Sequence, residues 1–256
     1  GFGGNYQTGI ATSGSYNVEV SLYGYQTQTV EVTLQNGVLT PLNVALLPLP
    51  SFTLNLLITN AQTGQPLPGA TVWLQSPTGV QTLTSNDMGQ VAAPLYAPET
   101  YQIYAGKWGY RTLFLQPYIT PETASLTLPL TPGYYDDFFF DYGWTTGGTA
   151  LNGMWVRDVP IGTTFASQPA NVGADVDTDF GNQCFVTGNS GTGLADNVSE
   201  GVTILTSPVF DLAGYQNPQL SYYRYLSLQN GSNDTLKIQI TNGIETKTVE
   251  IVTDGN

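Results

Sequence analysis

Short runs in which apolar and polar residues alternate constrain the fold of this chain more than any other feature. The first run alternates through Tyr16, Val18, Val20 and Leu22. A period of two residues indicates a β-strand with one buried face. Turn-forming residues separate the runs, as Asn36-Gly37 and Pro48 do. With 29 glycines and 16 prolines among 256 residues, the pattern predicts an all-β chain built from many short strands.

One phrase of the sequence occurs twice. Each copy has a Tyr-rich strand, a Gly-Tyr pair, a second strand, a turn, an alternating Leu/Val run and a proline. Gly24-Tyr25 in the first copy corresponds to Gly109-Tyr110 in the second. The alternating run of the first copy contains Leu42, Val44 and Leu46, and that of the second copy contains Leu126, Leu128 and Leu130. We therefore predict an internal repeat, with a strand in each alternating run.

The second copy carries motifs of a known family. These are TGQPLPGATVWL (63–74), the turn at 87–89, ETYQIYAGKWGY (99–110) and LTLPL (126–130). Together they resemble the carboxypeptidase regulatory-like domain, a small transthyretin-like β-sandwich. The resemblance implies one such antiparallel sandwich over residues 51–132. It also implies a partial one over residues 1–50, whose N-terminal strands are missing.

From Gly133 onward the sequence resembles a different module. The motifs are DDF (136–138), CFVTGN (184–189), LTSPVFDLAGYQNPQLSYYRY (205–225) and NDTLKIQI (233–240). They are similar to the MAM-like jelly-roll module found in C-terminal regions of bacterial secreted zinc carboxypeptidases. The resemblance implies a jelly-roll β-sandwich over residues 133–256, which we expect to be incomplete at its C-terminus. Because the sequence starts at Gly1 without a signal-peptide pattern, we also expect a processed product or a fragment.

Composition argues against several functions. The chain has no histidine and one cysteine, Cys184, which removes Ser-His-Asp and Cys-His catalysis and the usual transition-metal sites. With 19 acidic against 6 basic residues, the net charge is −13, so the chain repels nucleic acid and anionic membranes. No apolar run is long enough to cross a bilayer. We therefore expect a non-enzymatic protein, and the resemblance to modules of bacterial secreted peptidases implies a location outside the cell or at its surface.

Acidic residues concentrate in loops of the third module. Asp136 and Asp137 lie at its start, and Asp175, Asp177 and Asp179 alternate. Loop carboxylates are the donors that calcium prefers. The resemblance to jelly-roll modules, which often carry a structural calcium ion, implies ligands at Asp137, Asp175, Asp177, Asp196 and Asp234. The alternative is that these residues cap turns and loops, as aspartate commonly does.

Aromatic residues offer a second possible site. They are Tyr134, Tyr135, Phe138, Phe139, Phe140, Trp144 and Trp155, and later Tyr222, Tyr223 and Tyr225. Rings can stack on sugars, but alternation within strands explains most of them as packing residues.

Three functions follow from these observations. The first is an accessory or structural region that stabilises or positions a zinc carboxypeptidase-type peptidase and contacts the rest of its own polypeptide. The second is a segment of an extracellular fibre or adhesin that self-associates through open strand edges. The third is a carbohydrate-binding module with glycan ligands.

Overall fold

A computed structural model describes residues 6–77, 79–165, 168–192, 196–228 and 234–253. The chain divides into two compact units. The first consists of Gly1–Gly106 and Thr112–Pro132, and the second of Lys107–Arg111 and Gly133–Asn256. In the described part of the chain, no helix has the length and apolar character needed to cross a membrane.

The described residues of the first unit form the strands β1 to β11 and a short 3-10 turn at Pro121–Thr123. The strands are β1 (Gly14–Val20), β2 (Gln28–Leu34), β3 (Phe52–Asn60), β4 (Thr71–Ser76), β5 (Gly79–Thr84), β6 (Gln90–Leu95), β7 (Glu99–Thr100), β8 (Gln102–Gly106), β9 (Leu113–Leu115), β10 (Tyr118–Ile119) and β11 (Ser125–Leu130).

Two sheets of this unit enclose its core. One has the strand order β11-β3-β6 and the other β5-β4-β8-β9. All pairs in them are antiparallel except β11 with β3, which run parallel. Alternation turns one face of each sheet inward, as in a β-sandwich. The buried residues include Leu54, Leu56 and Ile58 of β3, Leu128 and Leu130 of β11, Val72 and Leu74 of β4, and Ile103 and Ala105 of β8.

The repeat seen in the sequence is also a repeat of backbone geometry. Strands β1 and β2 pair with Val18 opposite Val30, and β8 and β9 pair with Ile103 opposite Leu115, at corresponding positions of the two copies. Gly24 and Gly109 both have positive φ, +85° and +87°, a conformation that glycine adopts without steric cost. The same backbone hydrogen bond closes each turn, Tyr25 N to Leu22 O at 3.0 Å and Tyr110 N to Lys107 O at 2.9 Å.

The alternating run of the first copy differs from its prediction. Residues 42–46 do not form a strand, whereas their counterparts at Ser125–Leu130 form β11. The physical reason is the partner: β11 pairs with β3, and no strand corresponding to β3 precedes β1 in the described residues. An extended segment without a ladder partner leaves its backbone groups to water. Alternation alone therefore did not decide strand formation here.

The second unit contains shorter ladders. Its strands are β12 (Thr145–Gly148), β13 (Trp155–Asp158), β14 (Thr163–Phe165), β15 (Gln168–Asn171), β16 (Cys184–Thr187), β17 (Thr203–Thr206), β18 (Leu236–Thr241) and β19 (Thr246–Val252). They pair antiparallel as β12–β17, β13–β16, β14–β15 and β18–β19. The all-β class predicted from the sequence is confirmed.

Aromatic packing contributes to the second unit. The ring of Trp108 lies 5.2 Å from that of Tyr134 and 4.9 Å from that of Phe210, measured between centroids. The indole N–H of Trp108 donates to the carbonyl oxygen of Val209 at 2.7 Å. By contrast, residues 211–225 are exposed throughout, although alternation predicts a strand around Leu220 and Tyr222. They form no ladder in the described structure, so their side chains have no opposing sheet to bury them.

We expect Leu54→Ala to lower the free energy of unfolding of the first unit by about 2–5 kcal/mol, because Leu54 is fully buried between the sheets and truncation leaves a cavity. The measurement is urea unfolding followed by circular dichroism. Leu39→Ala is the matched control, since Leu39 is 78% exposed, and we expect a change within about 0.5 kcal/mol. Equal effects of the two substitutions would contradict the position of the core.

Candidate functional site

The start of the second unit is a chain of aspartate-capped turns. The carboxylate of Asp136 accepts from the backbone N–H of Phe138 at 2.9 Å, and that of Asp137 accepts from Phe139 N–H at 3.1 Å. Such turns explain why aspartates recur here. Phe138 has a positive φ of 54°, an uncommon conformation for a residue other than glycine.

Asp136 has a complete set of partners. Its second carboxylate oxygen accepts from the indole N–H of Trp144 at 2.7 Å. Nearby, the guanidinium of Arg157 on β13 donates to the carbonyl oxygen of Phe138 at 2.6 Å and to the side chain of Gln183. Burial raises the pKa of Asp136, and its two hydrogen bonds and the charge of Arg157 oppose that rise. These contacts fix the loop that carries Asp137.

Asp137 is the most unusual residue of the loop. Its side chain is 0% exposed, yet its Oδ2 atom has no hydrogen-bond partner. A buried carboxylate without a partner is costly, because ionisation in a low-dielectric environment is disfavoured. Burial, and then the nearby charges of Asp136 and Asp179, raise the pKa of Asp137 to about 6. This residue is therefore the strongest candidate for contact with a cation.

Two further carboxylates have the same character. Asp175 Oδ2 and Asp179 Oδ1 are buried and lack hydrogen-bond partners. Burial raises the pKa of Asp175, and burial followed by the charge of Asp175 raises that of Asp179. The thiol of Cys184 has its pKa raised to about 11, by burial and then by the charges of Asp175 and Asp179. We call Asp137, Asp175 and Asp179 the acidic cluster.

The other predicted ligands lie in different surroundings. Asp177 is exposed, because the chain turns between Asp175 and Asp179 instead of running extended. Asp196 is buried, but its two oxygens accept from the backbone N–H groups of Ser190 and Gly191, at 2.8 and 3.2 Å. Asp234 is exposed. Asp196 thus makes the loop-capping contacts that were the alternative to calcium binding.

The donor chemistry of the acidic cluster fits a hard cation, since it offers three buried carboxylate oxygens without hydrogen-bond donors. Their spacing is less favourable. Within the described ranges, no three acidic or cysteine side chains converge closely enough to hold a metal ion. The calcium assignment therefore stays a prediction, and it would require these carboxylates to move closer together.

Five of the ten aromatic residues proposed to bind sugars pack against other rings, namely Tyr134, Phe138, Phe139, Phe140 and Trp144. Phe138 lies 5.6 Å from Trp144 and 5.2 Å from Phe185, in edge-to-face contacts. Such contacts are typical of packing. Tyr223 is 79% exposed, while the hydroxyl of Tyr222 donates to the carboxylate of Glu250. Tyr135, Tyr222, Tyr223 and Tyr225 are the exposed members of the set, and the glycan assignment stays a prediction.

Sequence reasoning assigned no ligand role to Asp179. The signal was present, because Asp179 ends the alternating set Asp175, Asp177 and Asp179. An extended strand would place all three carboxylates on one face. The sequence pattern therefore gives no reason to treat Asp177 differently from Asp175 and Asp179. The turn at residues 177–178 instead exposes Asp177 and leaves Asp175 and Asp179 half-buried.

Comparison with known proteins finds sequence similarity to part of a bacterial protein. No family model matches the chain. Bacillopeptidase F of Bacillus subtilis (strain 168) is 30% identical over 131 residues, which are 49% of this chain and 9% of that protein. The chain thus spans less than a tenth of this relative, so the similarity describes a region and not the whole protein.

Solved structures show only distant similarity. A streptococcal ancillary pilin matches with a TM-score of 0.31 and 18% identity, over 47% of this chain and 42% of that chain. A candidate carbohydrate-binding protein of Bacteroides uniformis ATCC 8492 matches with a TM-score of 0.27 and 10% identity, over 80% and 98%. TM-scores this low do not define a common fold. The all-β architecture therefore rests on this chain's own structure.

The substitution Asp137→Asn should reduce the pH dependence of the free energy of unfolding, measured with a chelator present. Because the pKa of Asp137 is raised in the folded state, that state binds more protons than the unfolded one between about pH 4 and pH 6. The contribution of Asp137 to the free energy of unfolding is therefore largest below about pH 4, and it is lost as the pH rises through about 6. Because asparagine does not ionise, the Asp137→Asn variant lacks this pH-dependent loss of unfolding free energy, which we expect to be about 2 kcal/mol.

The measurement is urea unfolding at several pH values between 4 and 7, with EDTA present. Asp177→Asn is the control, because that exposed carboxylate should leave the pH profile close to that of the native chain. A profile for Asp137→Asn that is as steep as the native one would show that Asp137 ionises as it does in water.

Proposed function

We propose that this chain is a non-catalytic accessory region of a bacterial extracellular protein of the peptidase class, which it stabilises or positions. The carrying observation is the 30% identity to part of Bacillopeptidase F. The absence of histidine from the sequence supports a role other than catalysis. The prediction that the parent is specifically a zinc carboxypeptidase belongs to the same proposal and rests on the sequence motifs.

The test compares the complete natural polypeptide with a variant that lacks these 256 residues. Hydrolysis of a short soluble peptide should change by less than about twofold, whereas the half-life of activity at elevated temperature should fall. The isolated chain should hydrolyse neither this peptide nor a denatured protein. Turnover by the isolated chain, or unchanged thermal inactivation of the shortened polypeptide, would contradict the proposal.

Calcium binding at the acidic cluster is the second part of the proposal. The support is the set of buried, unpartnered oxygens of Asp137, Asp175 and Asp179. When bound, calcium would supply positive charge to carboxylates whose pKa values burial raises. This chain's own residues hold the loop in place, through the Asp136–Trp144 and Arg157–Phe138 hydrogen bonds. The role would be structural.

Millimolar calcium should raise the melting temperature of the native chain relative to EDTA. A ligand at one hundred times its Kd stabilises the folded state by about 2.7 kcal/mol, if it binds only that state. For a protein of this size we expect an increase of about 5 °C or more. The measurement is differential scanning calorimetry at pH 7 and constant ionic strength, with magnesium as the ionic control.

Variants separate the acidic cluster from the rest of the surface charge. Asp137→Asn should abolish the calcium-dependent increase, and Asp177→Asn should retain it. Absence of any increase in the native chain removes the calcium proposal. If Asp137→Asn retains the calcium-dependent increase in melting temperature, the ion binds at a site that does not include Asp137.

A further inference from the structure

The two Gly-Tyr turns of the repeat share a second backbone contact. The carbonyl oxygen of Gly24 accepts from the N–H of Leu49 at 2.8 Å, and that of Gly109 accepts from the N–H of Gly133 at 2.9 Å. Each donor directly follows a proline, in the segment that leaves its copy. Each turn is therefore tied by its glycine carbonyl to the segment that connects the copy to what comes next.

The residue before each turn glycine is aromatic. Tyr23 packs edge-to-face on Tyr96 of the second copy, with 5.0 Å between the ring centroids. Trp108 occupies the same position of the second turn and, within the second unit, packs against Tyr134 and Phe210. In both cases the ring partners come from the part of the chain that follows the copy. Edge-to-face ring pairs stabilise such contacts beyond the area that they bury.

Tyr23 lies in a slot that the second copy provides. The side-chain amide of Gln81 on β5 donates to the Tyr23 hydroxyl at 3.0 Å and also to a main-chain carbonyl of β6. Gly79 leaves room for the ring, since a Cβ atom there would lie 2.6 Å from Cδ2 of Tyr23. Gly24 is buried under the other ring, because its Cβ would lie 2.7 Å from Cζ of Tyr96. The two copies are thus in close contact on both sides of this ring pair.

The linker between the copies is held along the same turn. The backbone N–H of Gln26 donates to the carbonyl oxygen of Leu47 at 2.8 Å, and Tyr25 and Pro48 form an isolated bridge. Strand β3 of the second copy begins at Phe52, shortly after this bridge. Proline restricts the backbone of the linker further. Little free chain therefore separates the turn from the second copy.

We propose that the turn at residues 22–25 is a joint that holds the first copy at a fixed angle to the second. Its parts are the linker backbone paired along the turn and the Tyr23 ring in the slot formed by Gly79, Gln81 and Tyr96. Modules joined by a linker alone move relative to one another. A ring enclosed by the neighbouring module removes that freedom. The joint lies in the first unit and does not depend on the proposed accessory function or on calcium.

A distance between two spin labels tests the joint on the full chain. The labels are attached at Glu31→Cys on β2 and Ala92→Cys on β6, two exposed positions, and Cys184→Ala removes the native thiol. Pulsed electron paramagnetic resonance of this labelled chain should give one narrow distance distribution. Adding Tyr23→Ala should broaden the distribution about twofold or more, because only the linker then restricts the orientation of the first copy.

A variant in the second copy makes the test independent of the folding of the first. Gly79→Ala should broaden the distribution as Tyr23→Ala does, because the added Cβ displaces the Tyr23 ring. Val80→Ala is the matched control, since Val80 is 48% exposed, and it should leave the distribution narrow. In Gly79→Ala, hydrogen exchange at the amides of the β1–β2 ladder should stay as slow as in the labelled chain without this substitution.

Three results overturn the proposal. The first is a distribution for Gly79→Ala that is as narrow as that of the labelled chain. The second is broadening by Val80→Ala that equals the broadening by Gly79→Ala. The third is broadening by Gly79→Ala that occurs together with loss of amide protection in the β1–β2 ladder, because it then reports unfolding of the first copy and not a loosened joint.

Discussion

Backbone pairing around β3 is the constraint on which the rest of the first unit depends. This strand pairs parallel with β11 and antiparallel with β6, and it buries Leu54, Leu56 and Ile58. The ladder satisfies backbone groups that burial would otherwise leave without partners, and the alternating side chains form the core. Where an equivalent central strand is absent, as in residues 6–50, the same sequence pattern gives a hairpin, an isolated bridge between Tyr25 and Pro48, and no strand at residues 42–46.

In its described residues, the second unit has a smaller buried apolar core than the first. Among its described residues few apolar side chains are buried, and these include Phe140, Val186 and Val252. Hydrogen-bonded loops and aromatic contacts therefore define much of its structure. Within those loops, Asp137 is desolvated without a complete set of partners. Unsatisfied buried charge of this kind is unfavourable for stability, and it occurs most often where a ligand or a proton compensates it. That imbalance motivates both the pH prediction and the calcium proposal.

Particular residues show how far the sequence could predict the candidate site. The residues at Asp137 and Asp175 were identified from the resemblance to jelly-roll modules, and the structure places both in the acidic cluster. The predicted ligand set contains Asp177 and omits Asp179, whereas the turn at residues 177–178 exposes Asp177 and leaves Asp179 half-buried. Asp196 illustrates the opposite case. Its carboxylate accepts backbone hydrogen bonds from Ser190 and Gly191, a pairing that depends on how the loop closes and that spacing in the sequence does not reveal.

The sequence by itself determined the all-β class, the internal repeat and the turn glycines, because these depend on period-two alternation and on local backbone preference. The register equivalence of β1–β2 with β8–β9 follows from the same local pattern. Only the tertiary structure decided which alternating runs became strands and which carboxylates became buried. Ladder formation and desolvation both require a partner segment from elsewhere in the chain. Residues 42–46 and Ser125–Leu130 share a pattern, and the presence of β3 beside the second run separates their outcomes.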